Sequence, residues 1–122
     1  MLIHFAASKA VGESQQKPLH YYANNLGSLT TILEVMAEAG AHDLVFASSC
    51  TVYGQPKSFP VTEDTPIAAP ASIYDATKQI CRQILRDAIG SGAPLRATLL
   101  RYLNPISAHP SGQIGELTLG EP

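Results

Sequence analysis

The 122 residues suffice for one domain of ordinary size, and a composition 45% hydrophobic and 15% charged describes a globular chain with a substantial core. A net charge of −2 with no basic run excludes the electrostatic footprint of a nucleic-acid binder. No apolar stretch reaches the ~18 residues of a membrane span, and no basic segment, apolar run and cleavage site open the chain.

Residues 1–6, Met-Leu-Ile-His-Phe-Ala, read as a buried strand with no lead-in. A polar stretch over 8–17 follows, then a helix predicted over 18–39, with Pro18 tolerated in its first turn and Gly40 as its stop. Leu29, Ile32, Leu33 and Met36 form its apolar stripe, with Asn25 on the same side. Residues 44–47, Leu-Val-Phe-Ala, are unalternating, as expected of a parallel strand covered on both faces. Residues 50–71 carry Pro56, Pro60, Pro66 and Pro70 and are predicted to be a long loop, a length usually reserved for function or disorder. A second helix is predicted over 72–89, a strand over 95–102, and a Pro/Gly-rich tail over 104–122. Strand, helix, strand, helix, strand describes a parallel α/β unit, whose ligands bind beyond the carboxyl ends of the strands. The segments there are 6–9, 48–51 and 102–104.

Within the second helix, Tyr74 and Lys78 stand four residues apart and so share a face. An ammonium beside a phenol favours the phenolate, and a phenol that loses its proton near neutral pH is a general base. Spacing alone is weak support. The wheel adds to it: Ile73, Thr77, Ile80, Cys81, Ile84, Leu85, Ala88 and Ile89 mark one half as core-facing, and the pair falls inside it. Asp75, Gln79, Arg82, Gln83 and Arg86 fall on the other half. A lysine on a core-facing half is costly unless it is paired or functional. Cys50 and Cys81 fit no metal or redox spacing and read as reduced thiols of a cytoplasmic protein, and the four histidines are too scattered for a local zinc motif. No metal site is expected.

Ser48-Ser49-Cys50-Thr51-Val52-Tyr53-Gly54 followed by Tyr74-x-x-x-Lys78 resembles the extended short-chain dehydrogenase/reductase group. The blocks His4 to Ser14 and Arg101 to Gly112 narrow the resemblance to the UDP-glucose 4-epimerase family, and it runs from end to end of the chain. It implies a partial Rossmann-like parallel sheet, the central and C-terminal part of an NAD-binding domain, with residues 1–122 as a single partial domain. The family's N-terminal βαβ with its glycine-rich pyrophosphate loop, and its C-terminal substrate domain, have no counterpart in these residues.

The same resemblance implies interconversion of UDP-galactose and UDP-glucose by transient hydride transfer to NAD. Tyr74 would exchange the proton of the sugar 4-hydroxyl, Lys78 would bind the nicotinamide ribose and lower the tyrosine pKa, and Ser49 would hydrogen-bond the 4-hydroxyl. Phe5, Ala6, Ala7, Ser8, Lys9, Asn24 and Leu103, with Ser49, Tyr74 and Lys78, match positions around the cofactor. Ser49, Cys50, Thr51, Tyr102, Leu103 and Asn104 match positions around the UDP-sugar. A homodimer is implied for the full-length protein, with no nucleic-acid or membrane partner. The chain departs from the family at Cys50 (usually Ala), Leu103 (usually Phe), Ser107 (usually Gly) and in Ile73-Tyr74-Asp75 (usually Pro-Tyr-Gly). The alternatives are another nucleotide-sugar enzyme of the same superfamily, or a non-catalytic truncated remnant. The isolated chain is expected to bind NAD weakly or not at all, because part of the cofactor site is missing.

Overall fold

The structure is a computed structural model that describes residues 1–56, 59–103 and 109–113. Three parallel strands form one sheet in sequential order: β1 (Leu2–His4), β2 (Asp43–Ala47) and β3 (Arg96–Leu100). Leu2, Ile3 and His4 pair with Leu44, Val45 and Phe46, and the five residues of β2 pair one for one with those of β3. At the start of the second ladder Arg96 forks onto Asp43 at 2.6 and 2.9 Å. That pair is exposed and does more for register than for stability.

Helices α1 (Val11–Gln16) and α2 (Pro18–Glu38) connect β1 to β2, and a 3-10 turn (Cys50–Tyr53), a loop and α3 (Ile73–Gly90) connect β2 to β3. The predicted stripe of α2 is the buried one: Leu29 and Met36 join Leu44 and Phe46 of β2 and Cys81 and Leu85 of α3 in the core, flanked by Ile32 and Leu33. Strand residues two apart share a sheet face. Leu2, Leu44, Phe46, Ala97 and Leu99 therefore meet the helices, while Ile3, on the other face, is 52% exposed. Among the described residues the helices cover one face of the sheet, so the expectation of a β2 covered on both is not met, and Val45 is half-buried.

Three further expectations are corrected. The stretch 8–17 contains α1, which its sequence gives little reason to form. In α3, Asp75 and not Ile80 or Ile89 is buried; those two are 38% and 42% exposed. The buried arc is rotated because the loop around Ala68 lies along that flank: Gln79 Nε2 donates to Ala68 O at 2.9 Å, and Ala68 N donates to Val52 O. Lastly, this loop is not structureless. Gly54 closes the 3-10 turn at φ +58°, where an added Cβ would stand 2.8 Å from the Ala68 Cβ, and Arg101 donates to both the Tyr53 hydroxyl and Glu63 O.

Candidate active site

The site is built where the strands end. Beyond β2 and β3 the chains stay paired, with Ser48 N donating to Leu100 O and Cys50 N to Tyr102 O. The ring of Phe5, just past β1, stacks on that of Tyr102 at 6.0 Å. Phe5, the Ser48–Cys50 stretch and Tyr102 are thereby gathered at one end of the sheet, as the parallel topology predicts.

Ser49 caps the 3-10 turn. Its hydroxyl oxygen accepts from Thr51 N at 3.2 Å and from Thr51 Oγ1 at 2.9 Å. With both lone pairs engaged, its proton is the part left to serve a phenolate, and hydrogen bonding by Ser49 acts to lower the pKa of the Tyr74 phenol. Such a bond favours the phenolate. Burial works against it and is the larger effect, so the Tyr74 phenol lies above the ordinary 10.0. The charges of Asp75 and Cys50 push it further up, and Lys9 pulls it down. The expected lowering by Lys78 is not realised. The Lys78 ammonium does stand 5.8 Å from the Tyr74 ring centre, and 5.0 Å from that of Phe46. It is 4% exposed, donates to Ala47 O at 2.8 Å, and burial lowers its own pKa.

The other predicted positions fall as follows. Ala6, Ala7, Ser8 and Lys9 form the segment after Phe5, with Ala7 and Ser8 half-buried and Lys9 exposed. Cys50 and Thr51 are half-buried in the 3-10 turn, and Leu103 is 74% exposed beside Tyr102. A cleft of about 730 Å³ runs past Cys50, Thr51, Tyr102 and Leu103 toward Phe59 and Thr62. Asn104 lies outside the described residues, as does Ser107.

Asn24 is exposed and donates to Ser8 Oγ and to Asn25 Oδ1. Its neighbour Asn25 is the residue that joins the elements, a role the sequence reading did not assign. Its buried amide accepts from Ser8 N, donates to Ser8 O and donates to Thr77 Oγ1, and Thr77 in turn donates to Tyr74 O. Its place on the apolar side of α2 was the available signal, since a buried amide needs partners on other elements.

A model of the NAD dependent epimerase/dehydratase family matches residues 1–118. The chain belongs to the NAD-dependent epimerase/dehydratase family. Among its relatives, "UDP-glucose 4-epimerase 2" of Arabidopsis thaliana is 54% identical over 99% of this chain, and UDP-glucose 4-epimerase of Haemophilus influenzae is 46% identical over 99%. The solved UDP-glucose 4-epimerase of Bifidobacterium longum, in complex with NAD+ and UDP, superimposes with a TM-score of 0.90 at 47% identity over 98% of this chain. That of Stenotrophomonas maltophila, with bound NAD and formylated UDP-arabinopyranose, does so with a TM-score of 0.89 at 44% identity over 98%. The chain spans about a third of the length of these epimerases: 34% and 36% of the two sequences, 36% and 35% of the two structures. Its fold is thus a partial Rossmann-like NAD-binding domain of the family. None of its described helices is long and apolar enough to cross a membrane.

Proposed function

We propose that this chain, read as a single partial domain, carries the proton-handling part of a UDP-galactose/UDP-glucose 4-epimerase. The carrying observation is the buried Lys78 ammonium 5.8 Å from the Tyr74 ring centre, with the Ser49 hydroxyl, itself fixed by Thr51, opposing the rise of the phenol's pKa. The names of the relatives support the reaction class. Tyr74 exchanges the proton of the sugar 4-hydroxyl, Ser49 supports the phenolate and the hydroxyl, and Lys78 holds the nicotinamide ribose.

The residues present fit the nicotinamide-ribose half of NAD: a phenol, a hydroxyl and an ammonium meet at the sheet's carboxyl end, the place for such a ligand in this architecture. Bound there, NAD supplies a reversible hydride acceptor for the sugar C4. The protein's own contribution is to hold a proton at the Tyr74 oxygen. In this chain the phenol rests protonated at neutral pH, so its use as a base depends on the groups that oppose burial, Ser49 and Lys9. Phe5, Ala6, Ala7, Ser8, Lys9, Asn24 and Leu103 complete the proposed cofactor side, and Cys50, Thr51, Tyr102, Leu103 and Asn104 the sugar side. The whole protein acts, on this reading, as a cytoplasmic homodimer.

The test is a chimaera in which these 122 residues replace the matching third of the Arabidopsis relative. It should interconvert the two UDP-sugars, and Tyr74→Phe should cut turnover by about a thousandfold or more while NAD still co-purifies. Normal turnover in the Tyr74→Phe chimaera would overturn the assigned role. The chain alone should show no micromolar NAD binding by calorimetry, and a clear isotherm would refute that part of the reading.

A further inference from the structure

The backbone of Tyr74 is held from both sides by hydroxyl groups. Its carbonyl accepts from Thr77 Oγ1 at 2.7 Å, and its N–H donates to Ser14 Oγ at 3.2 Å. The second bond spans 60 residues of sequence and joins two helices. Tyr74 is the second residue of α3, so its N–H lies among the four that a helix leaves without an intrahelical acceptor. The local N-cap, Ser72, is already used, because its hydroxyl accepts from Asp75 N at 3.1 Å. The N–H of Tyr74 is therefore served from another helix.

Ser14 is built for that task. It is 0% exposed, and its hydroxyl proton is spent on Val11 O at 2.6 Å, so its oxygen faces Tyr74 as an acceptor. Helix α1 has only six residues, too few to persist by itself. It is fixed to α2 by the fully buried Tyr21, whose hydroxyl reaches Ala10 O and Glu13 Oε2, each at 2.9 Å. Lys17 steadies Glu13 at 2.9 Å. The path from α2 through α1 to Tyr74 is continuous.

We infer that Ser14 is a positioning residue for Tyr74: it caps the N-terminus of α3 from α1 and thereby fixes the phenol relative to Ser49. The function of this cap rests on Tyr74 being the reacting phenol, but its existence is testable without turnover, so the two can fail separately.

The test uses the 122-residue chain labelled with 15N and with 13C at the tyrosine ring carbon that bears the hydroxyl. The Tyr74 signals are assigned by Tyr74→Phe. In Ser14→Ala the Tyr74 amide should exchange about five- to tenfold faster, the fold-change of one net hydrogen bond. The Tyr74 phenol midpoint should shift toward that of free tyrosine, while the Tyr21 midpoint, which reports α1 itself, stays in place. Ser14→Cys keeps the volume with a weaker acceptor, so it should give an intermediate exchange rate; it also serves if the alanine variant fails to fold. Unchanged Tyr74 exchange in either variant would overturn the inference. So would an equal shift of Tyr21, which would mean that α1 had simply come loose.

Discussion

The Lys78 ammonium donates to the Ala47 carbonyl across 2.8 Å, tying the buried side of α3 to the last residue of β2. This bond gives a buried lysine one strong acceptor, and the ring faces of Phe46 and Tyr74 add weaker attraction. A hydrogen bond to a charged group contributes about 1.5–3 kcal/mol, and taking an ammonium out of water costs several. The balance does not favour lysine for stability.

Lys78→Met should therefore unfold at the same or a higher urea concentration than the parent chain. In the chimaera the same change should lower turnover about a hundredfold or more, because the group proposed to hold the nicotinamide ribose is gone. A stability loss above about 2 kcal/mol, with turnover kept, would make Lys78 a structural residue.

The two adjacent asparagines separate in the opposite way. Asn25→Ala strips partners from Ser8 N, Ser8 O and Thr77 Oγ1 at a buried junction. Each such group costs about 1–3 kcal/mol when left unpaired, so a net loss of about 2–4 kcal/mol is expected after partial relaxation. Asn24→Ala removes exposed contacts and should cost less than about 1 kcal/mol. Urea denaturation of both variants decides it, and equal losses would contradict the assignment of the junction to Asn25.

These two residues also show what a sequence can and cannot reveal. The stripe from Leu29 to Met36 and the position of Asn25 beside it follow from the helical period, and both survive in the fold. The parallel order of strands follows from alternating elements, and with it the end of the sheet where Phe5 and Tyr102 meet. Helix α1 is invisible to that reasoning. Val11 is its only apolar residue, and its stability comes from Tyr21 and Ser14, bonds that exist only once the chain has folded. The burial of Asp75 is likewise set by the loop lying against its flank, so the wheel alone puts that residue in water. At the Tyr74–Lys78 pair, spacing correctly brings the side chains together, but the direction of the phenol's pKa depends on how deeply the fold buries it.

Acid stability should report on His4. Its ring is 5% exposed, lies 5.7 Å from that of Phe46, and has its pKa lowered from 6.5 by burial and then by the Lys78 charge. The folded chain holds this ring neutral, while the unfolded chain takes up a proton near 6.5. Between the two values the unfolded state carries more protons, so stability falls as pH drops. The contribution is complete above 6.5 and lost as pH falls through the lowered folded value. The hydrogen-bonded carboxylates of Glu13 and Asp43 act in the same direction, but only below their ordinary 4.5 and 3.8. His4→Phe keeps an aromatic ring against Phe46 and should flatten the stability curve between about pH 7 and 5 while leaving the lower limb intact. An unchanged slope would place the titrating group elsewhere.

Asp75 supplies the sharpest chain-specific prediction. It is 5% exposed, its Oδ1 has no hydrogen-bond partner among the described residues, and its charge pushes the neighbouring Tyr74 phenol upward. The first turn of a helix favours an anion by about 0.3–1 kcal/mol. A buried oxygen without a partner costs about 1–3 kcal/mol, so the cost prevails. Asp75→Asn preserves the shape and removes the charge. The amide still leaves a polar atom unpaired there, so stability should change by less than about 1 kcal/mol, while the Tyr74 phenol should titrate at lower pH. In the chimaera the limb of the kcat/KM profile governed by the phenol should move the same way, because a base with a lower pKa is ready at lower pH. Absorbance titration of the phenols, with Tyr74→Phe subtracted, measures the first effect without turnover. An unmoved Tyr74 midpoint would mean that the Asp75 charge is screened from the phenol, and that its place beside Tyr74 does not tune the site.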